Sequence, residues 1–289
     1  MTSRSLARQV ACRLAIWAGL LAASGLLAAA LVRLAPGFDA DDRLLDARLA
    51  PESREAIVRE RAAHSDVLAY YTDYLGRLAR GDLGRSVSLG RPVNELLRER
   101  LPGSVGSALA GLGLAWAVSL AAVAVLEFRP SRWLERPAAV TAAALLCVPA
   151  AVSALACVHL GAAAPTALAM VLLPRIFRYA RNVAAAARRA PHVLAATGCG
   201  LRPGRILSYH VIAPAWPELA ALGGVSVSMA AGALIPVESL CGSPGVGQLV
   251  WQAALSRDLP VLVNVTLLIT AFTTGANLLS DAARAVRES

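Results

Sequence analysis

Apolar positions collect in six runs, at 14–32, 104–126, 137–158, 161–177, 218–237 and 260–280, and polar stretches of very unequal length separate them. At 1.5 Å of rise per helical residue, runs of this length span a hydrocarbon core of about 30 Å, so the pattern predicts six transmembrane helices. The first run follows Arg4, Arg8 and Arg13 with no acid among them. A signal peptide is the rival reading. The run outlasts a typical signal-peptide core, however, and LVRLAPG (31–37) is a poor small-residue cleavage site, so the run is read as a retained helix. The second run is rich in Gly, Ala and Ser at spacings that let helices approach closely, and the third contains Pro149.

The polar stretches give the chain its organisation. Residues 36–103 are the one long hydrophilic segment, with eleven arginines against twelve acids. It contains an amphipathic piece at 53–80, striped by Val67, Leu68, Tyr71, Leu75 and Leu78, and a second, VNELLRERL, at 93–101. The glycine-punctuated link GDLGRSVSLGRPV joins them. This segment is expected to form a small cap packed on the membrane domain. The domains are thus 1–35 (tail and first helix), 36–103, and a membrane core at 104–289 that carries the loop 175–217.

Orientation follows from arginine in the short loops. With the amino terminus inside, segments 1–13, 127–136, 175–215 and 281–289 hold fifteen arginines, and the short outer segments hold only Arg257. Both termini and the 175–215 loop are expected in the cytoplasm, and 36–103 on the opposite side.

The loop 175–217 holds seven arginines and no acid. Pro191 suits the first turn of a helix, where its missing N–H costs nothing, and Gly200 suits a left-handed cap, so about ten residues of helix are predicted between them. Ala195, Ala196 and Gly200 give that helix a small-residue surface suited to pressing into another protein's groove. Arg202-Pro203-Gly204 predicts a turn before a second amphipathic run from Arg205 to Ile212. The plainer alternative is a basic loop whose alanines only reflect an alanine-rich chain.

Composition narrows the function classes. Hydrophobic residues make up 57% of the 289, and charged residues 16%. The net charge of +9 sits beside apolar runs and not on a solvated reading face, which argues against nucleic-acid binding. Every basic residue is arginine. The absence of lysine excludes a Walker A site and any Schiff-base lysine. Cys12, Cys147, Cys157, Cys199 and Cys241 form no C-x-x-C, and His64, His159, His192 and His210 do not cluster, so no metal site and no catalytic residue is indicated. Glu238, at the outer end of the fifth run, is either functional or a paired, snorkelling structural acid. Pro244, Gly245 and Gly247 predict a tight re-entrant or surface turn before an amphipathic helix, and Arg257-Asp258 a surface ion pair or a cap for the sixth helix.

Residues 193–205, VLAATGCGLRPGR, resemble the "EAA" coupling loop of ABC-importer permeases. Ala195, Ala196 and Gly200 match its pattern, and Leu194 stands where the general consensus has Glu. LVRLAPG, RGDLGRSVSLGRPVNELLRERLP (80–102) and VESLCGSPGVGQLVWQAALSRDLPVL (237–262) are similar to signatures of the dipeptide/oligopeptide/nickel permease family, in the same order. One departure is the short CVHLGAAAP connection between the third and fourth runs, where family members have a longer one.

The resemblance implies an all-α membrane protein of the ABC importer type I permease fold, with a long extracytoplasmic segment after the first of six helices. It implies an inner-membrane subunit without a catalytic or metal site. Its partners would be a second permease, in a heterodimer or a homodimer, two cytoplasmic ATPases that bind ATP and magnesium, and an extracytoplasmic solute-binding protein. Leu194, Ala195, Ala196, Gly200, Leu201 and Arg205 would couple to the ATPase, and Glu238, Pro244, Gly245 and Gly247 would shape the outer gate or a structural turn. The alternative is a stand-alone secondary transporter or channel. Such carriers place ionisable groups at mid-membrane and show internal repeats, whereas these runs are nearly uncharged and unrepeated.

Overall fold

The computed structural model describes residues 15–27, 30, 74–78, 80–128 and 131–288, with the side chains of Arg132, Pro203 and 279–288 left out. The basic tail, the LVRLAPG stretch, residues 36–73 with Val67, Leu68 and Tyr71, and the Arg129-Pro130 link lie outside the described residues. Nine helices are named below: α1 (Ala15–Leu27), α2 (Val93–Phe128), α3 (Arg132–Leu146), α4 (Ala150–His159), α5 (Ala164–Arg188), α6 (Pro191–Gly198), α7 (Ala213–Leu240), α8 (Val246–Leu255) and α9 (Leu259–Glu288). A π-helical stretch, Ile206–Ile212, runs directly into α7. Among the described residues the β structure is one isolated bridge, Arg85 to Pro92.

Among these residues, Val93–Phe128, Ile206–Leu240 and Leu259–Leu278 are long and apolar enough to cross a membrane. A fourth span results if α3 and α4 count as one broken span. Four differences from the sequence reading have physical causes. The third run is not straight: α3 and α4 meet at 100°. Pro149 disfavours helical backbone at Val148 and starts α4 as its N-cap, with φ −61° and ψ 147°. The 93–101 piece is not separate, because α2 runs through Pro102 for 36 residues. A proline removes only its own N–H from the ladder, and the turns on both sides of it stay bonded. The amphipathic 205–212 run likewise continues into the apolar helix that follows, as one length Ile206–Leu240. The fourth run extends as α5 to Arg188, well past its apolar part.

The chain divides into two compact units, one built from 101–248 with residues from 272 onward, the other from the preceding residues with 249–271. In the first, α5 is the central helix. Leu168, Leu172 and Ile176 lie on one stripe of it and are 0% exposed. α3, α4 and α7 pack around that stripe. α4 ends at a tight turn where Gly161 takes φ +68° and the Ala162 N–H donates to the Cys157 carbonyl at 2.8 Å, so the chain reverses into α5 within a few residues. α2 comes so close to this core that a Cβ on Gly111 would sit 2.9 Å from the Pro165 carbonyl oxygen.

In the second unit, a hairpin at 84–93 closes with Val93 N–H donating to the Gly84 carbonyl and Ser86 N–H to the Arg91 carbonyl. Asp258, 1% exposed, organises it: its Oδ2 accepts from the hydroxyls of Ser86 (2.5 Å) and Ser88 (2.7 Å) and from the Ser88 N–H (3.0 Å). Its Oδ1 faces the Val261 N–H at 3.4 Å, so the cap reading holds. The surface ion-pair reading of Asp258 does not, since the carboxylate is buried and its partners are serines and backbone N–H groups. Nearby Asn264 accepts from the Tyr74 hydroxyl (2.8 Å) and donates to the Leu83 carbonyl (2.9 Å).

Candidate functional site

Two places in the first unit hold the residues singled out from the sequence. The first is the loop after α5. Pro191 begins α6 and the helix lasts eight residues, with Gly200 beyond it at φ +71°, the left-handed conformation the sequence suggested. The face differs from expectation. Val193 and Ala196 point inward, 5% and 6% exposed, whereas Leu194 is 65% exposed and Ala195, Thr197 and Gly200 are exposed with it. Ala196 therefore belongs to the helix's own footing and not to its outer surface, because three-residue spacing sets it beneath Val193. Leu201 is half-buried and Arg205 exposed.

This helix is tied to the span that follows it. Pro214 has no N–H to give the carbonyl four residues back, that of His210. The His192 Nε2 lies 2.9 Å from that oxygen and, protonated, donates to it. The π-helical turn at 206–212 lies just before this proline pair, Pro214 and Pro217, and fits the lost α-helical bonds. Tyr209 and Ile212 of this turn, and Trp216 after it, stand exposed.

The arginines of the loop are partly paired, which counting acids inside the loop could not reveal. Glu127, at the end of α2 and with a 2% exposed side chain, accepts from Arg181 at 2.8 Å and pairs with the Nε of Arg188. Arg181 also binds Glu135 of α3 at 2.8 Å. A buried carboxylate needs such neighbours, since desolvation would otherwise outweigh any local attraction. The cluster fastens α2, α3 and α5 at one level.

The second place is the Glu238 turn. Glu238 does not snorkel; it is 0% exposed. Its Oε2 accepts from the Ser104 hydroxyl (3.0 Å) and the Gly247 N–H (2.7 Å), and the Ser104 oxygen accepts from the Val246 N–H (2.7 Å). The turn Cys241–Gly245 therefore folds back over the acid, helped by Gly242 at φ +63° and by the Ser243 N–H donating to the Glu238 carbonyl. Both later glycines are required by space. A Cβ on Gly245 would overlap the Glu238 carboxylate, and one on Gly247 would lie 2.6 Å from the Leu234 carbonyl oxygen. Pro244 is exposed on the turn, and Gly103 lets its carbonyl approach α2, a Cβ there standing 3.1 Å from it. The carboxylate is a clamp for backbone donors, not a group open to solutes.

A family model described as "binding-protein-dependent transport system inner membrane component" matches residues 113–288, which include both places. The chain belongs to this family. The permease is also similar over nearly its full length to curated proteins. It is 26% identical to a protein of Brucella suis biovar 1 named a peptide permease, over 95% of each chain. It is 24% identical to a Sinorhizobium fredii protein named a peptide ABC transporter permease, over 94% of this chain and 95% of that one. It is 23% identical to the oligopeptide transport system permease protein AppB of Bacillus subtilis, over 89% and 90%. As a component of an ABC importer, the permease works in transport and is not a catalytic subunit.

Sequence reading missed two structural features of the permease, the Glu127 cluster and the His192 tie. Each joins residues far apart in the chain. The only local signal for the tie is proline at 214 with histidine at 192 in the preceding helix.

Proposed function

We propose that this permease imports peptides or related small solutes, and that α6 is the element through which a separate ATPase drives it. The observation that carries the reading is α6 itself. It is a short helix whose Val193 and Ala196 are buried, whose Leu194, Ala195 and Gly200 face outward, and whose second residue bonds to the backbone of a span-length helix. A push on such a helix reaches the span without passing through a flexible loop. That is what a hydrolysis-driven switch between inward-open and outward-open packings requires. The names of the relatives support peptides as the cargo.

On this reading six helices cross the membrane, both termini and α6 lie in the cytoplasm, and 36–103 lies outside. Trp133, 90% exposed at the start of α3, and Trp216, 66% exposed at the start of the fifth span, suit the headgroup level on that arginine-rich side. A second permease completes the translocation path, two ATPases hold the ATP and magnesium, and an extracytoplasmic binding protein delivers the solute. The Glu238 turn, with Pro244 at its tip, shapes the outer mouth.

The test is uptake of di- and oligopeptides into proteoliposomes. The chain alone is expected to give none under a proton or sodium gradient, and ATP-dependent uptake is expected once the partners are added. Ala195→Arg, on the exposed face, is expected to assemble but to lose most ATP-dependent uptake, by the tenfold or more typical of a central interface residue. Gradient-driven uptake by the lone chain, or normal transport by the variant, would overturn the proposal.

A further inference from the structure

The break between α3 and α4 opens on a cavity of about 460 Å³, a size that suits a small solute. Its walls come from the break itself (Cys147, Pro149, Ala150) and from Gly232 and Pro236 of α7, an apolar span. One lining residue is charged. Arg175, on α5, faces this cavity, and among the described residues it has no hydrogen-bond or ion-pair partner. It lies eleven residues into α5, about 16 Å along the helix from Ala164. It is therefore not part of the Glu127 cluster, whose arginines are Arg181 and Arg188.

Arg175 is exposed and stands where the apolar run 161–177 gives way to the basic stretch, and an arginine at such an edge is settled by a partner or by water. A partner is missing within the described chain, and the space beside it is open. The second wall has the same sign: α4 begins at Ala150 behind Pro149 with no side-chain cap, so its first N–H groups add partial positive charge at the break. Broken helices that expose backbone at mid-membrane are also how membrane transporters commonly build solute sites. The geometry points to this cavity as an anion-selective station on the translocation path, where Arg175 receives the carboxylate of a passing solute such as the free carboxyl terminus of a peptide. The inference rests on the permease reading above and sharpens it. A fixed cation here favours solutes with an exposed carboxylate and disfavours a bare divalent metal ion.

Cys147 is exposed and lines the same cavity, so it serves as a native reporter. The chain is expressed with its partner subunits, Cys12, Cys157, Cys199 and Cys241 are replaced by serine or alanine, and membranes are treated with a sulfonate-bearing or a trimethylammonium-bearing thiosulfonate. The expected result is a rate ratio favouring the anionic reagent that falls roughly tenfold in Arg175→Gln and survives in Arg175→Lys, the scale of one charge removed within several ångströms of the thiol. Trialanine is expected to slow the anionic reagent more than trialanine amide does, and only while Arg175 is present. If the serine background folds poorly, mass-spectrometric mapping of Cys147 modification in the otherwise native chain gives the same ratio. No labelling means the cavity is dry. An unchanged ratio means another subunit's acid neutralises Arg175. Equal protection by the two peptides means the carboxylate is not what is recognised. Each of these outcomes overturns the inference. The readout needs only the inserted protein, so it can succeed where ATP-driven uptake fails, and the two failures are told apart.

Discussion

Gly111 and Gly113 stand two residues apart on α2, so they project about 200° from each other around the helix, and alanine at each should have opposite effects. A Cβ at Gly111 would lie 2.9 Å from the Pro165 carbonyl oxygen, 2.9 Å from the Leu168 Cδ2 and 3.0 Å from the Leu168 Cβ. None of these atoms can yield cheaply. The carbonyl is backbone in the first turn of α5, and Leu168 is 0% exposed, walled in by the core. Overpacking of this kind costs about 1–3 kcal/mol. A Cβ at Gly113 meets nothing within 4 Å, so Gly113→Ala should only gain helix propensity, up to about 1 kcal/mol. Helix propensity is common to both, so at about 2–4 °C per kcal/mol for a fold of this size the overpacking cost should separate the two variants by roughly 2–12 °C in midpoint. The assay is the fraction of detergent-solubilised permease that stays monodisperse after heating, read by fluorescence-detected size exclusion. Gly111→Ala should fall below the parent and Gly113→Ala should match or exceed it. Equal losses at both positions would refute the reasoning, because helix propensity acts alike at both sites and only Gly111 meets the Pro165–Leu168 contact.

Removing the acid from the arginine cluster has a different origin. Glu127→Gln leaves Arg181 and Arg188 facing a neutral, buried amide, and because Arg181 keeps Glu135 and Arg188 is 43% exposed, the cost should fall below the about 3–5 kcal/mol of a fully buried pair. In the same heating assay Glu127→Gln should be far less stable than Glu135→Gln, whose carboxylate is half-exposed. A prediction in pH concerns Cys241, just beyond α7. Burial, with a smaller contribution from Cys157, pushes its thiol up from the ordinary value. Less thiolate is then present at any given pH, so the alkylation rate of Cys241 should reach its half-maximum at a higher pH than free cysteine does, measured by iodoacetamide labelling and peptide mapping. A midpoint at or below that of free cysteine would contradict the burial.

The prolines show how far the sequence could be read and where it stopped. Pro102, Pro149 and Pro214 were all visible, and in each case the missing N–H follows from the residue alone. Yet Pro149 turns the chain through 100°, whereas Pro102 and Pro214 sit inside unbroken helices. What decides the outcome is whether another group takes over or the helix is held on both sides. For Pro214 the carbonyl it leaves at His210 is met by His192, eighteen residues away on α6, a fact of packing and not of pattern. The glycines behave likewise. Gly200 was legible as a cap because its conformation is local, but the need for glycine at 245 and 247 arises only once Glu238 has folded beneath them. Charge completes the case. The 175–217 loop holds seven arginines and no acid, yet Arg181 and Arg188 are neutralised by a glutamate 54 and 61 residues earlier in the chain. Arg175 comes from the same loop and has no described partner, and it faces the cavity that Pro149 opens. Of the seven arginines, Arg181 and Arg188 thus fix three helices, whereas Arg175 is left facing a cavity for something the chain itself does not supply.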